Sequence, residues 1–437
     1  MKNKIKPSIL PGFMELTPKN QLIFNEMICK FIKVYERNGC LPMDTPVIEK
    51  EDILLAKSAG ETEKQIYRIE KADKKQALRF DLTVPFARYV AQYMNELKFP
   101  FKRYQLGKVY RGERNQRGRY REFYQLDVDI VGINKLAIQN DALVISLAAE
   151  ALESIGLKDY TFQINNRKII NGFLELLKVP NKAVIFGLID KIDKIGQDAC
   201  FNLLIDYIGK EKAEYLMKIL NFQGSSKEVL SFLKTVVDEI SVSKGNEVET
   251  RQQLLEGIEE LGKVIDILEV LGVDERNYQI ALKIIRGLDY YTGTIFETVI
   301  NNYETYGSVC SGGRYDDLTQ LYTEQKIPGV GISIGVTRLF FVLQEIGFWV
   351  EKQIGLVDYL ICPLGDTIKT CVTVKNKLQA QGNKVEIYLE EGNLKKQLNY
   401  ANVQGIPYVV IIGEDEVSTG EMVVKNMTTG EQNKQMM

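Results

Sequence analysis

The spacing of apolar residues changes along the chain, and each spacing predicts a different element. Between Thr17 and Gly39 apolar side chains recur every three or four positions, which predicts a helix opened by Thr17-Pro18 and stopped by Asn38-Gly39. Polar and apolar residues then alternate at 105–110, 122–131 and 160–165, which predicts strands. The first two of these segments predict an antiparallel hairpin, because a polar, glycine-bearing stretch separates them.

Two further patterns divide the rest of the chain. Residues 168–263 have a helical pattern, which predicts a mostly helical insertion in an otherwise strand-rich domain. The pattern breaks again at 346–356, where we predict a linker. From 357 to 437 strand and helix patterns alternate, which predicts a small, mostly parallel sheet.

Positive charge is concentrated between the two strands of the predicted hairpin. From Lys102 to Arg121 the chain carries eight Lys or Arg and one acid, Glu113. A guanidinium group is planar and permanently charged, and it can bind two phosphate oxygens at once. Because glycine, glutamine and aromatic residues are interleaved with these cations, the stretch predicts a phosphate pocket. A solvated basic surface is the alternative.

Composition narrows the chemistry further. The 56 Lys and Arg nearly balance the 58 Asp and Glu, so any nucleic-acid site must be local. Six cysteines without CxxC spacing predict reduced thiols of a cytoplasmic protein. No segment is long and apolar enough for a signal peptide or a membrane span, so we expect no membrane partner. Histidine is absent, which excludes Ser-His-Asp triads, Cys-His pairs and His-ligated metals.

Four peptides resemble those of a known enzyme family. Arg111-Gly-Glu113 together with the 119–125 stretch resembles motif 2 of class II aminoacyl-tRNA synthetases, and 329–339 resembles motif 3. Residues 284–297 and 311–316 resemble two peptides specific to histidyl-tRNA synthetases. The resemblance extends over nearly the whole chain and is weakest over the helical insertion.

This resemblance implies both a fold and a reaction. It implies an α+β catalytic domain built on an antiparallel sheet at 1–345, containing the 168–263 insertion, then the 346–356 linker and a small α/β anticodon-binding domain at 357–437. It also implies a homodimer that activates L-histidine with ATP and Mg²⁺ to histidyl-adenylate. The histidyl group would then be transferred to the 3′ end of tRNA(His), with release of AMP and pyrophosphate overall.

The resemblance further implies roles for individual residues. The expected catalytic contacts to the α-phosphate are Arg111 and Arg286. The expected ATP-binding residues are Arg111, Glu113, Arg119 and Arg338. The expected histidine-binding residues are Asp81, Thr83, Gln125, Asp129, Tyr290, Tyr291 and Tyr315. Arg114 and Gln116 would meet the tRNA acceptor end, and no protein-bound metal is expected because Mg²⁺ would arrive with ATP.

Some positions depart from the family pattern. Asp81 and Asp129 stand where many relatives carry glutamate, so their reach is one methylene shorter. Thr337 stands where an acid often precedes the motif 3 arginine, and Tyr124 stands where histidine is frequent. None of these changes removes a group that the chemistry requires.

Two other functions are compatible with parts of the chain. One is a catalytically inactive paralogue that acts as the regulatory subunit of ATP phosphoribosyltransferase in histidine biosynthesis. Such regulators usually lack the C-terminal domain and parts of the two family peptides, which this chain keeps. The other is an RNA-binding module with a vestigial nucleotide pocket, which would not need Arg111, Arg286 and Arg338 together.

Overall fold

The computed structural model describes residues 6–56, 61–71, 74–114, 116–190, 192–239, 246–285, 290–349 and 356–437. The chain divides into two compact units, one formed by Met1–Met14 and Met27–Ile346 and the other by Glu15–Glu26 and Gly347–Met437. The domain boundaries expected from sequence stay predictions. Among the described residues, no helix combines the length and apolar character that crossing a membrane requires.

The strands and helices, numbered in chain order, have the following bounds. The strands are β1 Leu41–Pro42, β2 Ile48–Lys50, β3 Arg68–Lys71, β4 Lys74–Leu78, β5 Phe101–Tyr110, β6 Glu122–Val131, β7 Tyr160–Asn166, β8 Tyr278–Ile280, β9 Thr294–Ile300, β10 Cys310–Tyr315, β11 Gly329–Ile334, β12 Tyr359–Pro363, β13 Val385–Ile387, β14 Tyr408–Ile412, β15 Glu421–Asn426 and β16 Gln432–Met436. The helices are α1 Pro18–Arg37, α2 Glu51–Leu55, α3 Glu61–Gln65, α4 Thr83–Tyr93, α5 Gln139–Ser154, α6 Arg167–Leu176, α7 Lys182–Ile189, α8 Ile192–Ile195, α9 Gln197–Ile208, α10 Lys210–Leu220, α11 Ser226–Glu239, α12 Asn246–Val270, α13 Val336–Glu345, α14 Ile368–Ala380, α15 Leu394–Gln404 and α16 Glu414–Thr419.

An eight-stranded sheet forms the centre of the larger unit, in the order β1-β5-β6-β11-β10-β9-β7-β8. Its strand pairs are antiparallel except β1–β5 and β7–β8. The predicted antiparallel sheet is therefore confirmed. The predicted hairpin is β5–β6, and its strands pair without interruption from Phe101↔Val131 to Tyr110↔Glu122. Because side chains alternate along a strand, the odd-numbered residues of β6 share one face of the sheet.

A small three-stranded sheet, in the order β2-β4-β3, leads into α4. The buried Arg79 follows β4 and holds this region to β5, since its Nε donates to the Lys108 carbonyl at 2.8 Å and its Nη1 to the Thr45 carbonyl at 2.6 Å. Gly107 is required beside it, because a Cβ at that position would lie 2.3 Å from Arg79 Nη2. The arginine thus fixes where α4 begins, and with it Asp81 and Thr83.

Helices α6 to α12 lie between β7 and β8 in the chain, and no strand interrupts the described residues between them. Helices α6 to α10 share a core of buried aliphatic residues such as Ile170, Leu174, Ile185, Leu204 and Leu216. The predicted helical region is present, although its last helix continues to Val270.

The C-terminal unit contains a five-stranded sheet in the order β13-β12-β14-β15-β16. The β13–β12 and β12–β14 pairs are parallel, whereas β14–β15 and β15–β16 are antiparallel. The sheet is thus mixed, and not mostly parallel as the pattern predicts. The difference arises because the last strand, β16, is exposed throughout and carries no alternation that could reveal it.

Candidate active site

The floor of the site is a row of polar residues that crosses four strands. The sheet register aligns Gln105, Asp127, Ser333 and Ser311, on β5, β6, β11 and β10 respectively. In the neighbouring row Gly331 leaves room for Asp129, because a Cβ there would lie 1.9 Å from Asp129 Oδ1. Gly331 of motif 3 therefore makes space for one acidic side chain, that of Asp129, above the sheet.

One cleft of about 550 Å³, part of it open to solvent, brings together all four predicted ATP-binding residues. Arg111, Glu113, Arg119 and Arg338 all line it, together with Gln125. Residues separated by more than 200 positions in sequence thus meet in one place. The structure does not describe residues 286–289, so the predicted catalytic contact of Arg286 lies outside the described residues.

Arg111 is held between aromatic rings at the end of β5. Its guanidinium carbon lies 4.4 Å from the centroid of the Phe80 ring and 5.1 Å from that of Phe123. Its Nε donates to the Phe80 carbonyl at 3.2 Å. These contacts fix the plane of the guanidinium group before any ligand arrives.

Arg338, on α13, connects two loops across the cleft. Its Nε donates to the Gly118 carbonyl at 3.2 Å and its Nη1 to the Ser308 carbonyl at 2.8 Å. Burial, and then the positive charges of Arg119 and Arg111, lower the pKa of Arg338 to about 10. Glu113 partly offsets this charge through its ion pair with Arg119, whose N···O distance is 3.2 Å. An excess of half-buried positive charge favours a polyanionic ligand.

Four of the predicted histidine-binding residues lie near the start of α4 and on β6: Asp81 precedes α4, Thr83 begins it, and Gln125 and Asp129 are on β6. Asp81 is buried and accepts a hydrogen bond from the Val84 backbone N–H at 2.9 Å. Burial raises the pKa of its carboxyl, and the positive charge of Arg111 opposes that shift. Gln125 donates from Nε2 to Ser333 Oγ at 2.7 Å, while its buried Oε1 has no hydrogen-bond partner among the described residues.

Asp129 is fully enclosed, and the protein itself binds both of its oxygens. The Tyr315 hydroxyl donates to Oδ1 at 2.7 Å, and Arg103 Nη2 lies 2.6 Å from Oδ2 in an ion pair. The ring of Tyr290 lies 6.1 Å from that of Tyr315 and 4.9 Å from that of Tyr291. Asp129 and the three predicted tyrosines therefore belong to one buried cluster.

Sequence reasoning assigned no role to Arg103. Its side chain is 0% exposed, its guanidinium carbon lies 4.4 Å from the centroid of the Phe86 ring, and Arg103 pairs with Asp129 in the register of β5 and β6. The available signal was the alternation of β5, which places Arg103, Gln105 and Gly107 on one face. This alternation alone does not distinguish Arg103 from the other cations of the hairpin. The pairing register of β5 and β6 is needed as well.

The two predicted tRNA contacts lie elsewhere, on the turn between β5 and β6. Arg114 and Gln116 are both exposed. The Gln116 carbonyl accepts a hydrogen bond from the Arg119 backbone N–H at 2.9 Å, which closes the turn. Neither residue lines the cleft that contains Arg111.

Thr337 has a local structural explanation. It is buried, and its Oγ1 accepts a hydrogen bond from the Tyr124 backbone N–H at 2.8 Å. The hydroxyl therefore ties the first turn of α13 to β6, and α13 carries Arg338. Among the described residues, no group of three or more cysteine and acidic side chains is arranged to hold a metal ion.

Comparisons with known proteins cover both units. A family model described as histidyl-tRNA synthetase matches residues 12–339, and one described as anticodon binding domain matches residues 358–437. A curated protein of Clostridium acetobutylicum, named histidine–tRNA ligase, is 59% identical over 436 residues, which is 99% of this chain and 99% of that protein.

Solved structures give a similar result. The crystal structure of histidyl-tRNA synthetase from Nostoc has a TM-score of 0.87 and 33% identity, over 99% of this chain and 97% of that chain. A structure described as an ATP phosphoribosyltransferase regulatory subunit/histidyl-tRNA synthetase from Bacillus halodurans has a TM-score of 0.77 and 19% identity, over 94% of this chain and 100% of that one. At that identity the second likeness shows the fold alone.

Proposed function

Because the chain belongs to the histidyl-tRNA synthetase family, we propose that it activates L-histidine with ATP and transfers the histidyl group to the 3′ end of tRNA(His). The observation that carries this proposal is the meeting of Arg111, Arg119 and Arg338 in one cleft, beside the buried acids Asp81 and Asp129. The cleft suits a polyphosphate, and the adjoining acidic pocket suits an amino acid with cationic and N–H donor groups.

In the first step a carboxylate oxygen of histidine attacks the α-phosphorus of ATP, and pyrophosphate leaves. Negative charge builds on the α-phosphate oxygens during this displacement, so preorganised cations accelerate it. Arg111 supplies such a charge from a fixed position between Phe80 and Phe123. We assign the α-phosphate to Arg111 and Arg286, and the terminal phosphates to Arg119. Arg338 covers the adenine ring, Glu113 accepts from its edge, and Mg²⁺ arrives bound to ATP as part of the substrate.

In the second step the terminal ribose hydroxyl of the tRNA attacks the acyl carbon of the adenylate, and AMP leaves. Arg114 and Gln116 are positioned for the acceptor end, since both are exposed on the turn that follows β5. Asp81, Thr83 and Gln125 hold the α-ammonium and carboxylate groups of histidine. Asp129 accepts a ring N–H, while the three tyrosines, Tyr290, Tyr291 and Tyr315, enclose the ring.

We also propose a homodimer in the cytoplasm, with the C-terminal unit binding the anticodon. Leu41 on β1 and Ile48 on β2 support the dimer, since their side chains are 57% and 48% exposed on short edge strands. A sheet edge offers unpaired backbone N–H and C=O groups to another chain, and a second copy bound there would cover these apolar side chains. Sedimentation velocity of the purified chain tests this assignment.

The regulatory-subunit alternative receives no comparable support. The Bacillus halodurans structure shares the fold at 19% identity, whereas the Clostridium acetobutylicum ligase is 59% identical over nearly the full length. A fold common to both functions does not discriminate between them.

Histidine-dependent exchange of pyrophosphate into ATP tests the enzymatic proposal directly. The purified chain should catalyse exchange with histidine and not with other amino acids. Arg111→Ala should lower the rate by roughly 100- to 1,000-fold, the scale for losing one preorganised donor. Arg276→Ala is the matched control, because the Arg276 side chain is 88% exposed and lies outside the cleft. Absence of exchange by the parent chain refutes the proposal.

A further inference from the structure

Two buried carboxylates share one buried guanidinium group on the floor of the amino-acid pocket. Asp127 and Asp129 lie on the same face of β6, and each is 2% exposed. Arg103 forms its ion pair with Asp129, at 2.6 Å. Asp129 therefore pairs directly with Arg103, whereas Asp127 forms no ion pair with any described residue.

The residues beside Asp127 in the sheet are neutral. They are Gln105 on β5 and Ser333 on β11. The Gln105 amide already donates to Asp44 Oδ1 at 2.8 Å and to Thr45 Oγ1 at 3.1 Å. The nearby Ser333 hydroxyl lowers the pKa of Asp127 only in part. One carboxyl oxygen, Asp127 Oδ1, is buried without a hydrogen-bond partner among the described residues.

A second acceptor without a partner lies on the same face, two positions earlier. Gln125 Oε1 is buried and has no hydrogen-bond partner among the described residues. Residues i and i+2 of a strand project from the same face, with backbones roughly 7 Å apart. One small group with several N–H donors, lying between the two side-chain tips, can therefore contact both. The α-ammonium of an amino acid carries three such donors.

The charges around Asp127 come from several elements. Asp81, before α4, and Asp129 add negative charge, while Arg103 on β5 is the positive group that acts on it. Asp127 also acts electrostatically on Tyr291, and on Tyr35 of α1 and Cys310 of β10, which lie on the other face of the sheet. Burial raises the pKa of all three. Burial, opposed by Arg103 and reinforced by Asp129, raises the pKa of Asp127 to about 7.

We propose that Asp127 holds a proton in the empty pocket and releases it when the α-ammonium of histidine binds, becoming a direct ionic partner of the amino acid. This inference rests on the proposed function. The exchange is balanced: the O–H bond of Asp127 breaks, its proton leaves to solvent, and the ammonium group keeps its three protons and supplies the compensating charge. Asp127 is thus a binding residue additional to Asp81, Thr83 and Gln125.

The sign of the pH dependence follows from this exchange. Below pH 7 the carboxyl is protonated and must ionise before the ligand binds, so affinity should rise with pH through about 7 and level off above it. Histidine's own ring titrates near 6.5, at roughly the same pH. The probe is therefore 2-fluoro-L-histidine, whose fluorine prevents ring protonation in this range. The protein contributes no imidazole, because it contains no histidine.

Calorimetric titration of the full chain without ATP, in buffers of different ionisation enthalpy, measures the released proton. More protons should leave per bound 2-fluoro-L-histidine at pH 6 than at pH 8. Asp127→Asn should bind more weakly, release no proton and show no pH dependence, whereas Asp127→Glu should keep the release. Asp266→Asn is the matched control, since Asp266 is exposed on α12.

Two outcomes overturn the inference: binding by the parent chain without proton release, or unchanged release by Asp127→Asn. If that variant does not fold, infrared difference spectra of the parent chain labelled with ¹³C-aspartate decide the matter. A protonated carboxyl band should disappear when histidine is added, and its absence from the empty protein contradicts the proposal. Failure of the parent chain to bind histidine or catalyse exchange would instead refute the proposed function.

Discussion

The ion pair between Arg103 and Asp129 predicts a strong and pH-dependent loss of stability. Arg103→Leu removes the cation and leaves Asp129 in a site where it is only 2% exposed. An uncompensated buried charge costs about 3–5 kcal/mol, whereas removing both partners costs much less. The double variant Arg103→Leu/Asp129→Asn should therefore recover about 2 kcal/mol relative to Arg103→Leu alone.

Urea unfolding followed by circular dichroism measures the effect. Burial already raises the pKa of Asp129, and Arg103 opposes that shift, so the shift should grow when the arginine is lost. A carboxyl whose pKa is higher in the folded than in the unfolded state destabilises the fold progressively as pH rises between those two values. The loss caused by Arg103→Leu should therefore be smaller at pH 5 than at pH 8.

The exposed pair Arg276–Asp274 provides the control for this experiment. Arg276→Leu should leave the unfolding midpoint unchanged, because its side chain is 88% exposed. Additive effects of Arg103→Leu and Asp129→Asn, or equal losses at pH 5 and pH 8, would show that the two side chains are not energetically coupled.

Four further predictions concern the site and the composition of the chain. Gly331→Ala places a Cβ 1.9 Å from Asp129 Oδ1, which should cost about 1–3 kcal/mol of overpacking. The KM for histidine should therefore rise by roughly 5- to 150-fold, while the KM for ATP stays nearly unchanged. Arg338→Ala should raise the KM for ATP by roughly 5- to 30-fold, for about 1–2 kcal/mol of lost cation–π contact, while calorimetric histidine affinity stays within about twofold. Arg286→Ala, expected from sequence alone, should slow single-turnover adenylate formation by roughly 100- to 1,000-fold, and a change of only a few-fold refutes its assignment. Because the chain contains no histidine, it can be translated when charged tRNA(His) is scarce. Introducing several exposed histidines should therefore slow growth recovery from histidine starvation. Equal recovery would show that the absence of histidine has no such function.

The family, the fold class and the central hairpin could be predicted from sequence, because each depends on patterns among residues that are close together in the chain. The alternation on β6 and the glycine spacing of β11 are visible without any tertiary information, and both strands are confirmed. Arg338 could be recognised because it stands at a fixed place after those glycines. Its contact with the Gly118 carbonyl could not, since that contact joins residues 220 positions apart.

What could not be predicted depends on register and burial. Arg103 is one of eight cations between residues 102 and 121, and its pairing opposite Asp129 separates it from the others. Arg314 lies in a family-specific peptide, yet it forms a buried ion pair with Asp141 of α5 at 2.6 Å. Helix α16 could not be predicted because it has only six residues, too few for an apolar periodicity.

The contacts of Arg79 and Arg338 also determine which positions of the chain can accept substitutions. Each donates to main-chain carbonyl oxygens: Arg79 to Thr45 and Lys108, and Arg338 to Gly118 and Ser308. A carbonyl oxygen is present whichever residue occupies the position, so these contacts do not depend on the identity of the acceptor residue. The two arginines should therefore tolerate almost no substitution, whereas Lys108 and Ser308 can vary without breaking the contacts that position the cleft.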